Sequence, residues 1–397
     1  MKALFLIDNV PAIEMFIPIV TRLNGESVFI NYSRNKQNTF KIEEYMKNFA
    51  IRCEIIKKHN NRYVNVLLDR EKPDIVILAR EETMPIEKYF TSLCREKNIL
   101  TLLVPHGMLM LNELQLWGLG GKLFRFQHIY RLFKQGVRKL LNGKITLNHL
   151  IQAGIFRVRN DYKDKVTLSR YDTYDKIATY GEAMKEILLK YNVKPENIVL
   201  TGNPKYAALT RNNGHKKHNA ILIVTNYLVE FGTWNKAQRE NYILDIHTVV
   251  NALSQNLLVK IHPVMEDAND YIRIAHNNKM SLYLYQREPL SEVINKCDIG
   301  ITTMSSGGLE VLATGKPLII YNPYNDITQY HEKSGVYYAR NTDELLVVLN
   351  ELIKNGMSDD KKKMSEEFVY QQAYLQDGKA SERIAELILE MAGGKNG

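Results

Sequence analysis

Asp298-Ile299-Gly300-Ile301-Thr302-Thr303-Met304-Ser305-Ser306-Gly307-Gly308-Leu309-Glu310-Val311-Leu312-Ala313-Thr314-Gly315-Lys316-Pro317-Leu318-Ile319-Ile320-Tyr321 is the stretch whose reading decides the fold. A short apolar run passes through a turn of small hydroxyl and glycine residues into a helical pattern, and Thr314-Gly315-Lys316-Pro317 stops that helix and opens a second apolar run. Strand, helix and strand in this order form the crossover unit of a parallel sheet. The turn presents backbone N–H groups and the positive end of a helix to an anion. Glycine admits a diphosphate close to the backbone, and serine adds donors without charge. Ser305, Ser306, Gly307 and Gly308 are therefore candidate phosphate ligands, and Glu310, one turn into the helix, is placed to accept hydrogen bonds from a ribose or sugar diol. The plain alternative is an ordinary strand-to-helix turn, with Ser306 as the N-cap and the glycines present for packing.

Outward from this unit the same alternation recurs. Strand candidates at 3–7, 27–31, 53–56, 74–78, 100–104, 176–179 and 197–200 alternate with helical patterns in the first half, and 220–225, 257–261, 281–285, 299–302 and 317–321 do so in the second. A helix over 13–23 contains Pro18, which predicts a kink. The uninterrupted apolar run Ile75-Val76-Ile77-Leu78 predicts a strand covered on both faces. Polar loop formers from Thr210 to Asn219 mark a linker. The reading is two Rossmann-like, doubly wound parallel-sheet α/β domains facing a cleft: 1–212 on the acceptor side, 213–375 binding the nucleotide donor, and a closing helix in 376–397. Ligands of open α/β sheets bind at the carboxyl ends of the strands.

Three further motifs fall at predicted strand ends. Lys260-Ile261-His262-Pro263 puts a cation and a titratable ring where a diphosphate leaving group would need neutralising. Val104-Pro105-His106-Gly107 places a histidine at the opposite lip of the cleft, suited to take a proton from an acceptor hydroxyl. Thr201-Gly202-Asn203-Pro204 lines the floor beside the donor, and Asp8 and Asn9, after the first strand, reach the acceptor edge together with Gly107. Each of these also reads as a simple turn.

The 397 residues carry a formal net charge of +9, from 53 Lys and Arg against 44 Asp and Glu. That excess belongs to one segment. Between 114 and 160 there is no acidic residue, while Lys122, Arg125, Arg131, Lys134, Arg138, Lys139, Lys144, Arg157 and Arg159 interleave with large apolar side chains. A basic amphipathic insertion of this kind suits adsorption to an anionic membrane surface, with Lys122, Arg125, Arg131, Lys134, Arg138 and Lys139 facing the lipid; a helix packed on the first domain with its charges solvated is the alternative. No nucleic-acid module surrounds it, so no nucleic-acid partner is expected. Cys53, Cys94 and Cys297 form no framework or CxxC pair. There is no zinc-ligand spacing, no Walker motif, no GxSxG elbow and no Asp-x-Asp after a strand, so the expected chemistry uses no metal and no cofactor beyond the activated donor. With no apolar run of membrane-spanning length and no leader pattern, the expected location is cytoplasmic, attached peripherally to the inner face of the cell membrane.

At His106-Gly107, Thr201-Gly202-Asn203-Pro204, Lys260-Ile261-His262-Pro263, Ser305-Ser306, Lys316-Pro317 with Tyr321, and Asp377-Gly378-Lys379-Ala380-Ser381-Glu382-Arg383-Ile384, the chain resembles the GT-B superfamily of nucleotide-sugar transferases. Within it, the pattern is similar to the CDP-glycerol glycerophosphotransferase and capsule-polysaccharide transferase group. The resemblance implies His106 as catalytic base, His262 as a contact of the donor phosphates, and Ser305 and Ser306 as phosphate ligands. Thr303-Met304 stands where that group usually has Asp-Tyr, and Gly307-Gly308-Leu309-Glu310 resembles UDP-sugar transferases of peptidoglycan synthesis and UDP-N-acetylglucosamine 2-epimerase. The implied function is a metal-independent glycosyltransferase moving a sugar from a nucleotide donor to a lipid-linked or surface-glycan acceptor at the membrane. The alternatives are a CDP-glycerol-type glycerophosphotransferase, a sugar-nucleotide 2-epimerase, or a non-catalytic nucleotide-sugar-binding protein.

Overall fold

The structure is a computed structural model and describes residues 1–34, 36–80, 85–105, 171, 173–190, 192–207, 209, 217–263 and 265–394. Its described strands form two sheets, parallel throughout. The first contains β1 (Lys2–Ile7), β2 (Glu26–Asn31), β3 (Arg52–Ile55), β4 (Ile75–Leu78), β5 (Leu100–Leu103), β6 (Lys176–Thr179) and β7 (Ile198–Leu200), in the order β3-β2-β1-β4-β5-β6-β7. The second contains β8 (Ala220–Val224), β9 (Asn256–Lys260), β10 (Tyr283–Tyr285), β11 (Ile299–Thr302), β12 (Leu318–Tyr321) and β13 (Tyr337–Ala339), in the order β10-β9-β8-β11-β12-β13. Both sheets are doubly wound about their first strand, so each has a switch point, between β1 and β4 and between β8 and β11.

The alternation of side chains across these strands explains their continuous apolar sequences. Ala3, Phe5 and Ile7 of β1 enter one buried cluster, and Leu4 and Leu6 enter the cluster on the other face. Ile221 and Ile223 of β8 likewise part from Ala220, Leu222 and Val224. Such strands are stable only when helices cover both faces.

The first helix runs from Val10 to Val20, earlier than the expected 13–23, because Asn9 caps it: its side chain accepts from the Ala12 N–H at 2.9 Å. The helix is continuous through Pro18, whose carbonyl accepts from the Arg22 guanidinium at 2.6 Å. The last helix, Ala380–Gly393, returns to the first sheet, and Ile384, Ala385, Leu387 and Ile388 share a cluster with Phe5 and Phe16. Helix Asp359–Ala373 instead adds Phe368, Val369 and Ala373 to the cluster of the second sheet. Where it passes the first, contact is close enough that a Cβ on Gly181 would lie 2.3 Å from the Gln371 carbonyl oxygen.

The expected 53–56 strand is displaced by one residue, and β13 was not expected at all. Part of the expected linker, the residues His106 and Gly107, and the whole basic insertion lie outside the described residues.

Candidate functional site

The second switch point is a turn made rigid by side-chain oxygens. Thr302, fully buried at the end of β11, donates from its hydroxyl to the Val224 carbonyl at 2.8 Å and accepts the Ser305 N–H at 3.1 Å. Thr303 donates to the Tyr321 carbonyl at 3.0 Å, so the turn is tied to both neighbouring strands. The Ser305 hydroxyl accepts from the Gly307 N–H at 3.3 Å, and its carbonyl accepts from the Tyr330 hydroxyl at 2.7 Å. Ser305 and Ser306 are left half-buried at the rim.

One reading of this turn is corrected, and another gains a packing reason. Ser306 is not a side-chain cap: it has helical φ and ψ of −60° and −20° and makes no capping hydrogen bond. Gly307 and Gly308 are required by packing as well, because protein fills the space where a side chain would stand on each of them. A Cβ on Gly307 would lie 2.7 Å from Leu290 Cδ2 and 2.8 Å from Val224 Cγ1, and one on Gly308 would lie 2.4 Å from the Tyr330 hydroxyl oxygen. The glycines let the helix Gly307–Ala313 pack closely on β8 and Tyr330.

Glu310 is buried in the same helix, with one carboxylate oxygen 2.7 Å from the Lys205 ammonium. Lys205 stands on the short helix Pro204–Ala207, which follows the Gly202-Asn203 turn at the end of β7, so the pair joins the edges of the two sheets. Burial works against the Lys205 charge, but the Glu310 carboxylate beside it raises the pKa above the ordinary lysine value. Glu14, on the first helix, lies within electrostatic reach of both.

The Lys260-Ile261-His262-Pro263 motif does end a strand at the cleft, but its charges differ from those expected. Lys260 is buried, and its ammonium donates to the carbonyls of Gln286 at 2.8 Å and Ile261 at 3.3 Å; burial lowers its pKa. It anchors strand ends, where the sequence had suggested a phosphate contact. His262 Nδ1 accepts from the Met265 N–H at 3.0 Å, which places the proton of the neutral ring on Nε2. Burial, and then the Lys260 charge, lower its pKa below the ordinary histidine value. At neutral pH the ring is an uncharged Nε2–H donor. Because the folded-state pKa lies below the unfolded value, the folded chain binds fewer protons and this group costs stability as pH falls through the usual histidine range.

Glu266, which the sequence reading passed over, holds this loop. Its carboxylate accepts from the His262 N–H at 2.7 Å and from the hydroxyls of Thr225 and Tyr271, with the Arg239 guanidinium at 3.6 Å. Thr225 follows β8, so the carboxylate ties the His262 loop to the switch point. The spacing of four residues after His262 was the available signal.

On the first sheet, Asp8 and Arg80 meet at 3.3 Å across the switch point, and Asn9 donates to Asp8 at 2.8 Å while capping the first helix. These contacts occupy side chains expected to face an acceptor. Gly202 has φ +76°, a conformation that favours glycine. Asn203 donates to the Pro105 carbonyl at 3.4 Å, and Thr201 receives the Arg383 guanidinium at 2.7 Å. The Gly202-Asn203 turn is thus drawn against the residue preceding His106. Among the described residues, no group of three or more His, Cys, Asp or Glu is arranged to hold a metal ion, and no helix is long and apolar enough to cross a membrane.

Comparison with known proteins identifies a family and a fold. The family model described as CDP-Glycerol:Poly(glycerophosphate) glycerophosphotransferase matches residues 147–390. No match was found among curated proteins. Among solved structures, UDP-GlcNAc 2-epimerase from Neisseria meningitidis bound to UDP-GlcNAc superposes with a TM-score of 0.61 at 14% identity, covering 98% of this chain and 100% of that one. The UDP-GlcNAc 2-epimerase from Methanocaldococcus jannaschii gives 0.62 at 12%, covering 98% and 100%. The wall teichoic acid polymerase TagF, solved with CDPG, gives 0.61 at 12%, covering 99% and 89%. At these identities the structural likeness is one of fold: two Rossmann-like domains of the GT-B type.

Proposed function

Since this chain belongs to the CDP-glycerol:poly(glycerophosphate) glycerophosphotransferase family and is a transferase dependent on a CDP-glycerol or nucleotide-sugar donor, we propose that it transfers an alditol phosphate from a CDP-linked donor to a hydroxyl-bearing acceptor at a membrane surface. The observation that carries this is the turn from Thr302 to Ser306, held rigid at the switch point of the second sheet with its two serines at the rim. The donor phosphates lie against Ser305 and Ser306, and the neutral His262 donates from Nε2 to the phosphate oxygens. His106 takes the acceptor proton. The acceptor oxygen bonds to the phosphorus that bears the alditol, the bond from that phosphorus to the bridging oxygen breaks, and CMP leaves with the electron pair.

The basic, acid-free stretch 114–160 supports the membrane-borne acceptor and a site of action at the inner membrane face. Sugar transfer is the second reading, favoured by the buried carboxylate of Glu310 at the cleft. Its order changes because the Gly307-Gly308 pair, which pointed to a sugar donor, has a packing role here.

The leaving nucleotide distinguishes the readings. Incubation with CDP-glycerol and with UDP- and CDP-sugars, plus a lipid-linked glycan acceptor, is expected to release CMP from CDP-glycerol. Release of a nucleoside diphosphate from a sugar donor establishes the second reading, and acceptor-independent change of UDP-GlcNAc would establish epimerase chemistry instead.

A further inference from the structure

A nucleoside pyrophosphate brings several negative charges to the Ser305-Ser306 rim, and such a ligand needs a cation with a mobile ammonium or a guanidinium. The cations of the motifs at the strand ends differ in what already holds them. Lys260 is buried beneath two backbone carbonyls, and Arg80 pairs with Asp8 at the other sheet. Arg383 is held by the Thr201 carbonyl and by Asp377 at 2.7 Å. His262 has its Nδ1 committed to the Met265 N–H. Lys205 differs. Its side chain is 49% exposed although its ammonium is enclosed, whereas the side chain of Glu310, the carboxylate it meets at 2.7 Å, is 4% exposed. Glu310 lies four residues beyond Ser306, about one helical turn or roughly 5–6 Å. A lysine that meets Glu310 from the facing sheet is therefore within a side chain's length of the serine rim.

We propose that Lys205 is the cation of the donor's diphosphate, exchanging its Glu310 partner for the phosphates when donor binds. This deepens the donor reading given above and rests on it. The exchange has a consequence for Glu310: a buried carboxylate that loses its ammonium needs hydrogen-bond donors in its place, which the hydroxyls of a ribose or alditol supply. Phosphates and hydroxyls of one ligand thus replace both halves of the pair together. Because Lys205 follows β7 and Glu310 follows β11, the same ligand links the two sheets.

Calorimetric titration of the full chain with CDP, UDP and inorganic pyrophosphate tests the exchange. Lys205→Met is expected to weaken binding of CDP or UDP, whichever the wild-type chain takes, and of pyrophosphate at least tenfold; Lys205→Arg, which keeps the charge, is expected to stay within about threefold of wild type and so controls for folding. Glu310→Gln removes the competing carboxylate and is expected to tighten pyrophosphate binding severalfold, an effect lost when Lys205→Met is added. Lys205→Met binding pyrophosphate as wild type does, or Glu310→Gln weakening it as much as Lys205→Met, overturns the assignment while leaving the donor reading standing. A wild-type chain that binds neither CDP nor UDP removes the donor reading and this inference with it.

Discussion

Replacing His106 with alanine is expected to lower turnover about 10²–10⁴-fold, the range for loss of a positioned general base, while nucleotide affinity stays within about twofold of wild type. The expectation follows from where the two halves of the reaction are placed. In the proposed reaction the donor phosphates lie at Ser305, Ser306 and His262 beside the second sheet, with Lys205 reaching them from beyond β7, whereas His106 directly follows Pro105, whose carbonyl receives the Asn203 side chain beyond β5. In the proposed reaction His106 acts on the acceptor's proton and makes no contact with the nucleotide phosphates. Steady-state kinetics together with a direct binding titration separate the two. If nucleotide affinity falls by as much as turnover, His106 belongs to the donor site and the division of labour is wrong.

Glu266→Ala is expected to destabilise the chain by about 3–5 kcal/mol, the usual cost of removing one partner from a buried charged network. The Glu266 side chain is 0% exposed beside an Arg239 side chain that is 4% exposed. Removing it takes the carboxylate acceptor from the His262 N–H and the Tyr271 hydroxyl, leaves the Thr225 hydroxyl with the Lys260 carbonyl, and leaves Arg239 with Glu230 and Asp270. Glu266→Gln keeps the shape and loses the charge, so its cost should be smaller, about 1–3 kcal/mol. Because the same carboxylate fixes the backbone of His262, the glutamine variant should also bind donor more weakly. Denaturant unfolding measures the first effect and titration with nucleotide the second. An alanine variant as stable as wild type would mean that Glu266 does not hold the loop.

What could be read from the sequence was decided by how local each feature is. β8 and β11 are continuous apolar runs because both faces are covered, and that pattern is visible without knowing what covers them. β13 was missed because three residues, Tyr337–Ala339, with an exposed Tyr338 carry too little periodicity to stand out. The site divides in the same way. That Lys260 and His262 end a strand is local, and it was legible. Where the Lys260 ammonium turns depends on the Gln286 carbonyl, which the fold brings alongside after β10. Gly307 and Gly308 show the opposite difficulty: a glycine made necessary by a ligand and one made necessary by Leu290, Val224 or Tyr330 look alike in sequence. Glu266 acquires its role only when Thr225, Arg239 and Tyr271 converge on it, so spacing alone could point to it but not explain it. Lys205 and Glu310 meet from different sheets, and nothing local foretells their contact.

The claim on which all of this depends is that the second sheet binds an activated nucleotide. It is tested most directly by the thermal stability of the chain with CMP, CDP, UDP, GDP, CDP-glycerol and UDP-sugars. A ligand that binds only the folded state adds RT ln(1 + [L]/Kd), about 2.7 kcal/mol at a hundredfold excess over Kd, which is readily seen in a melting curve. The account predicts stabilisation by CDP and CDP-glycerol, reduced in a Ser305→Ala/Ser306→Ala variant. A melting curve that no nucleotide or nucleotide conjugate moves would contradict it.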